Sequence, residues 1–234
     1  MARHFALIPA AGIGARMGAA QPKQYLSIHG RPMLWHAIRA FQRHPRVDGV
    51  AVVLSPDDAL WDRDDWSAFG KLRVLRCGGE SRAESVRNGL RALEGQVDGQ
   101  DWMLVHDAAR PCLSQEMLDR LLTTVGDDPV GGILAMPVAD TLKRQAEADA
   151  GERPVRIGAT VSRAGLWGAQ TPQMFRHELL LRAFEHAGMA VTDEASAVEA
   201  LGLSPLLVES DLTNLKVTYP GDLAIAEWLL GRDN

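Results

Sequence analysis

Hydrophobic positions along this chain of 234 residues gather into short apolar runs separated by longer mixed stretches. The runs at residues 5–9, 49–54, 73–76, 102–105 and 132–137 have the length and turn-residue borders of strands buried on both faces. Between them, residues 33–43, 82–94 and 114–125 place apolar side chains at helical spacing. This alternation predicts an α/β fold: a mostly parallel, doubly wound, Rossmann-like sheet with helices over both faces. Ligands of such sheets sit at the carboxyl ends of the strands. The segments after residues 9 and 105 are therefore the first places to look for chemistry.

Two stretches break the rhythm. Residues 56–71 are rich in Asp and carry Trp61 and Trp66, which predicts a solvated acidic helix whose tryptophans reach the core. Residues 145–154, QAEADAGERP, are polar and lie between β-like segments at 139–144 and 155–162. They predict the tip of a β-hairpin arm, at about 139–162, projecting from a single domain spanning 1–234. An isolated hairpin is poorly stable, so something should pack against it. Helices are expected at 177–187 and 194–201, a strand near 215–219, and a last helix from Leu223 with Asp222 as its N-cap. No repeat, low-complexity tract or linker marks a second domain, and the short tail predicts no fused second enzyme.

Composition narrows the function. Apolar residues make up 46% and charged residues 24% of the chain, ordinary values for a globular protein. A net charge of −5 argues against broad nucleic-acid binding, which favours a basic patch or stripe. A polyphosphate ligand must then be met by local positive charge. Cys77 and Cys112 are too few for a disulfide framework or a zinc site and are expected reduced and buried. No signal segment or membrane-length apolar run is present. The expectation is a soluble, cytoplasmic protein that contacts neither membrane nor nucleic acid.

The stretch FALIPAAGIGARMGAAQPK, residues 5–23, carries the strongest chemical signal. Gly12, Gly14 and Gly18 permit a tight turn that brings bare N–H groups to a ligand. Arg16 and Lys23 follow as cations suited to several phosphates. A dinucleotide fingerprint would need glycine at Met17, and a P-loop would need Lys after Gly18, where Ala19 stands. What remains is a loop for a nucleoside triphosphate, or a tight strand-to-helix turn with surface cations.

The motifs IPAAGIGARMG and PKQYL resemble the signature of sugar nucleotidyltransferases. The later blocks GGESRAESV, VHDAARP, DTLKR, TVSRAGLWGAQTPQ, TDEASA and NLKVT are similar, in order, to the cytidylyltransferase family that joins CTP to 2-C-methyl-D-erythritol 4-phosphate. The resemblance covers nearly the whole chain. It implies formation of 4-diphosphocytidyl-2-C-methyl-D-erythritol and pyrophosphate, the step of the non-mevalonate isoprenoid precursor pathway. A relative using another polyol phosphate, such as ribitol 5-phosphate, and a non-catalytic nucleotide-binding protein are the other readings.

The resemblance implies that Pro9, Ala10, Ala11, Gly12 and Gly14 line the CTP loop, with Arg16 and Lys23 stabilising charge on the phosphates. It implies that Gly79 and Ser85 help select cytosine, although a helix cap explains them equally well. Asp107, beside Arg110, is read as contacting ribose, acceptor hydroxyls or Mg²⁺ through water, or else as a local pair that shapes the loop. Arg163 and Lys216 are the expected cations for the acceptor, with Thr141 and Thr171 as hydroxyl donors. Ser162 stands where the family commonly carries Asp. Thr192-Asp193-Glu194 reads as a helix start or as a substrate contact. His106 is expected to be structural. Mg²⁺ is expected to be carried mainly by the CTP phosphates, with no metal site of the protein's own. The family's arm grips a second subunit, which implies a homodimer. A phosphate-ester acceptor, with a second pKa of about 6, is largely dianionic at neutral pH and needs no catalytic base.

Overall fold

A computed structural model describes residues 2–12, 21–147, 154–188 and 191–232. The chain runs through β1 (His4–Pro9), β2 (Ser27–Ile28), β3 (Arg31–Pro32), α1 (Met33–Gln42), β4 (Gly49–Val53) and β5 (Leu72–Leu75). It continues through α2 (Arg82–Ala92), β6 (Trp102–Val105), α3 (Gln115–Val125), β7 (Gly132–Pro137), β8 (Leu142–Gln145) and β9 (Ile157–Val161). The last part holds β10 (Trp167–Arg176), α4 (His177–Ala187), α5 (Glu194–Glu199), β11 (Leu206–Glu209) and α6 (Pro220–Leu230).

The central sheet has seven strands in the order β11-β7-β10-β6-β1-β4-β5. β10 pairs antiparallel with β6 and β7, while the other pairings are parallel. The pleat explains why its strands read as continuous apolar runs. Ala6 and Ile8 of β1 enter one buried cluster with Leu34, Ile38 and Leu118 from α1 and α3. Leu7 enters the opposite cluster with Val86, Leu90 and Leu180 from α2 and α4. Both faces are covered, so every strand position wants an apolar side chain.

Register sets the geometry of the sheet's carboxyl edge. Leu7 lies opposite Val105 on β6 and Ala51 on β4. The ladder extends through His106 N–H to Leu7 O at 2.9 Å and Ala10 N–H to Val53 O at 2.8 Å. The loops leaving β1 and β6 therefore start side by side at one edge.

Several expectations need correction. Residues 56–71 form no α-helix; a single 3₁₀ turn, Trp61–Arg63, stands there. Asp58 Oδ1 accepts from the N–H groups of Leu60 and Trp61, and Asp65 Oδ1 from that of Ser67. Short acidic side chains that bind nearby backbone compete with a helix. Trp61 does reach the core, and Trp66 stacks on it at 3.9 Å between centroids. Residues 215–219 are no strand; one backbone bond, Val217 N–H to Ala109 O at 2.8 Å, helps dock them beside the β6 loop. The last helix begins at Pro220, with proline in its first turn. Asp222 lies inside that helix and is not its N-cap; its Oδ2 accepts from Thr218 and Tyr219 N–H at 2.8 Å each. Cys77 and Cys112 form no disulfide and are only half-buried.

The arm forms as a separate two-stranded sheet, with Leu142 opposite Val161 and Lys143 opposite Thr160. Most of its side chains are exposed. The centre of its tip, residues 148–153, lies outside the described residues. Among the described residues no helix is long and apolar enough to cross a membrane.

Candidate active site

The loops at the carboxyl edge enclose a cleft of about 370 Å³. Pro9, Ala10, Ala11 and Gly12 come from the β1 loop, and Gly79, Arg82 and Ser85 from the start of α2. Asp107 follows β6, Lys23 and Gln24 lie in the turn after the glycine loop, and Lys216 arrives from the segment before α6. Gly78 makes the close approach possible: a Cβ there would lie 2.3 Å from Ala11 Cβ and 2.8 Å from Leu54 O. Buried Gln24 donates to Ala10 O at 2.7 Å and so ties the turn bearing Lys23 to the β1 loop. Lys23 Nζ reaches Val217 O at 3.4 Å. Gly14 and Arg16 lie outside the described residues.

A second hollow of about 190 Å³ opens beside the first, lined by Arg110, Thr171, Gln173, Thr192 and Asp193 among others. Arg82, Asp107 and Lys216 line both hollows and form the wall between them. Lys216, expected from its place in the chain to serve the acceptor, thus faces both sides. Thr141 and Arg163 are not brought here. They flank β8 and β9 at the base of the arm and are exposed.

Asp107 is the electrostatic centre. Its Oδ1 accepts from Arg82 Nε at 2.8 Å, its Oδ2 lies 2.7 Å from Lys216 Nζ, and Arg110 Nε stands 3.8 Å away. Burial alone would raise its pKa, but Arg82, Lys216 and Arg110 outweigh burial and hold the carboxyl well below its usual range. Arg110 also donates to Asn214 O at 2.6 Å, which anchors the segment carrying Lys216.

Beneath Asp107 lies a directed chain of hydrogen bonds. Asp107 N–H donates to Thr171 Oγ1 at 3.0 Å. Thr171 Oγ1 lies 3.0 Å from His106 Nδ1, and His106 Nε2 lies 3.0 Å from Arg110 O. A carbonyl oxygen only accepts, so His106 carries its proton on Nε2 and accepts from the Thr171 hydroxyl on Nδ1. Burial pushes the His106 pKa down to about 4, which keeps the ring neutral. The hydroxyl hydrogen of Thr171 is therefore turned inward rather than offered to a phosphate. Ser85 is similarly engaged: it accepts from Gly79 N–H at 3.0 Å and donates to Ser81 O at 2.9 Å. Both hydroxyls thus have partners within the chain while bordering the hollows.

Arg82 is the residue that sequence reasoning missed. It opens α2 behind the Ser81 cap, which accepts from Glu84 N–H at 3.1 Å. Its Nη1 and Nη2 donate to Glu194 Oε1 at 2.6 Å and Oε2 at 3.0 Å. Glu194 is fully buried at the first position of α5. Asp193 caps that helix by accepting from Ser196 N–H at 2.9 Å, so the helix-start reading fits, while Thr192 and Asp193 also border the smaller hollow. An arginine at a helix start in GGESRAESV was the available signal, but its partner lies 112 residues away.

Among the described residues no group of three or more His, Cys, Asp or Glu is arranged to hold a metal. Both Asp107 oxygens already face cations. The donor set suits a polyanion, or a metal that arrives on one.

Comparison with known proteins agrees with this chemistry. The IspD family model, 2-C-methyl-D-erythritol 4-phosphate cytidylyltransferase, matches residues 4–232. An enzyme of that description from Dechloromonas aromatica (strain RCB) is 58% identical over 231 residues, covering 98% of each chain. One from Thiobacillus denitrificans is 56% identical over 234 residues, covering 99% of each. Among solved structures, a 4-diphosphocytidyl-2C-methyl-D-erythritol synthase is 48% identical, with a TM-score of 0.85, over 98% of this chain and 99% of that one. The Francisella tularensis enzyme is 33% identical, with a TM-score of 0.81, over 97% of this chain and 100% of that one. The chain belongs to the 2-C-methyl-D-erythritol 4-phosphate cytidylyltransferase family, whose reaction is the CTP-dependent formation of 4-diphosphocytidyl-2-C-methyl-D-erythritol.

Proposed function

We propose that the larger hollow holds CTP and the smaller one the phosphate end of 2-C-methyl-D-erythritol 4-phosphate. The observation that carries this division is the shared wall of Arg82, Asp107 and Lys216, because two anions lying on either side of it come close enough to react. An oxygen of the acceptor phosphate attacks the α-phosphorus of CTP, the α–β bridging P–O bond breaks, and pyrophosphate leaves. A dianionic acceptor needs no base, so neutral His106 is not called upon. The protein's task is to offset repulsion between anions and stabilise charge on the leaving group. Lys23 is placed for that at the cleft, and Arg16 is the second cation of the same loop. Mg²⁺ fits this donor set as a companion of the triphosphate, and when bound it supplies further positive charge along the phosphates.

The acceptor site is completed by a second copy of the chain. Thr141 and Arg163 stand exposed at the base of the arm, apart from both hollows. The arm also leaves Val155 46% and Ile157 67% exposed, and a two-stranded hairpin with uncovered apolar side chains calls for a packing partner. In a two-fold dimer each arm would carry these residues to the neighbour's smaller hollow. Pyrophosphate release, measured with CTP and Mg²⁺ against a panel of polyol phosphates, tests the whole reading. Turnover should be confined to 2-C-methyl-D-erythritol 4-phosphate. Comparable turnover with ribitol 5-phosphate would overturn the acceptor assignment.

A further inference from the structure

Glu194 is wholly buried, so it touches neither hollow, yet it ends a line of charges that reaches both. Its two oxygens grip Arg82 Nη1 and Nη2 at 2.6 and 3.0 Å. The Nε of the same guanidinium points to Asp107 Oδ1 at 2.8 Å, and Asp107 Oδ2 faces Lys216 Nζ at 2.7 Å. Negative and positive groups alternate from the start of α5 to the wall between the hollows. A buried ion pair is often no more stabilising than well-packed apolar side chains of the same volume. Stability alone is therefore a weak reason for this one.

The geometry points to Glu194 as a positioning residue for the reaction. A guanidinium is planar, and a carboxylate that holds both terminal nitrogens also fixes the direction of Nε–H. Arg82 is thereby limited to one bond with one oxygen of Asp107, leaving the other oxygen to Lys216. Without Glu194 the fork of Arg82 is free to turn on Asp107 with two bonds and compete with Lys216 for it. Lys216 then loses the anchor that sets it where the two phosphates meet. The inference rests on the proposed assignment of the two hollows to CTP and acceptor.

The experiment compares Glu194→Gln with the neutral pair Arg82→Met/Glu194→Leu, reading melting temperature, kcat and both KM values. Glu194→Gln should stay folded at assay temperature and lose about tenfold in kcat, the size expected when one charge-assisted contact is misdirected. The neutral pair should melt near wild type and recover most of the kcat that Glu194→Gln loses, since no fork remains to compete with Lys216 for Asp107. Wild-type kcat in Glu194→Gln, or a well-folded neutral pair no more active than Glu194→Gln, would overturn the inference. Should the neutral pair fail to fold, coupling decides. In a Lys216→Ala background the Glu194→Gln loss should shrink severalfold, and losses that simply multiply would count against transmission through Lys216. Asp107→Asn and Lys216→Ala separate the two levels. Full activity in those variants sinks the assignment of the hollows, whereas their failure beside an active Glu194→Gln sinks this inference alone.

Discussion

The loop after β6 and the β8–β9 arm invert the usual relation between polarity and burial. His106, Asp107 and Arg110 are polar or charged and lie 0%, 7% and 8% exposed, whereas Ile157 on the arm is 67% exposed. The loop tolerates burial because each group has a partner: Thr171 and Arg110 O for His106, three cations for Asp107, Asn214 O for Arg110. Among the described residues the arm shows its own ladder and a bond such as Lys143 Nζ to Thr160 Oγ1 at 2.8 Å. One region is complete within a single chain. The other carries exposed apolar side chains and two expected site residues, Thr141 and Arg163, which are exposed and line neither hollow. The proposed dimer, with each arm at its neighbour's site, would join the two regions.

Loss of the cations expected beside the preorganised half should have the largest effect. Lys23→Ala and Arg16→Ala are each expected to lower kcat about a hundredfold or more, as removal of one aimed donor typically does. CTP affinity, read by calorimetry, should fall less, because most charge develops after binding. A variant with near-normal kcat and only weakened CTP binding would remove that residue from transition-state stabilisation. Asp107→Asn tests the same region differently. It takes the ionised partner from Lys216 and leaves Arg82 with Glu194 alone, and breaking a buried pair typically costs about 3–5 kcal/mol. A clear fall in melting temperature should accompany the loss of turnover, in contrast to Lys23→Ala, whose fold should be little changed.

The arm is tested by complementation. Arg16→Ala and Arg163→Ala homodimers should each be nearly inactive. Unfolded and refolded together without bias, they should yield about half heterodimers. If sites are shared, one site of each heterodimer carries both lesions and the other neither, which returns roughly a quarter of wild-type activity. No recovery, with heterodimers verified by mass, would place both arginines in one chain's site. Ile157→Asp sharpens the result: it should shift the light-scattering mass toward monomer, and an unchanged dimer would remove the arm's apolar face from the interface.

Strands β1, β4, β6 and β7 were legible because residues buried on both faces leave continuous apolar runs. β10 was not, for its run contains Gln170, Thr171, Pro172 and Gln173. Those polar side chains are satisfied by distant groups: Gln173 by Asp193 and the N–H of Ala195, and Gln170 by Asn214 and Ser210. Local periodicity cannot register a strand whose polar groups find their partners elsewhere in the chain. The same reason hid Arg82, whose partners are the distant Glu194 and Asp107. The residues that line the larger hollow were legible where motif and strand end coincide, at Pro9 to Gly12 and at Asp107. The residues that hold them in place were not, since Gln24, Asn214 and Glu194 act through contacts that no spacing rule contains.

The smallest effect should come from His106, and it should be one of stability rather than rate. The ring is buried and neutral, with its pKa pushed down to about 4. An unfolded histidine titrates near 6.5. Between those values the unfolded chain binds a proton that the folded chain refuses, so stability is lost as pH falls from about 6.5 to about 4. The share belonging to this residue is roughly 3 kcal/mol at the acid end, from a shift of about 2.5 units. The charges that face the ring are Asp107, Arg110 and Arg82, and burial outweighs the favourable pull of Asp107. His4 and His36 shift in the same direction, so the wild-type curve alone assigns nothing. His106→Gln isolates the contribution, because its amide can donate to Arg110 O without titrating. Its melting temperature should fall less steeply than wild type between pH 6.5 and 4, while kcat near pH 7.5 stays within about threefold, as befits a group that transfers no proton. Parallel melting curves would show that His106 titrates normally, and a rate loss of a hundredfold would make it part of the chemistry.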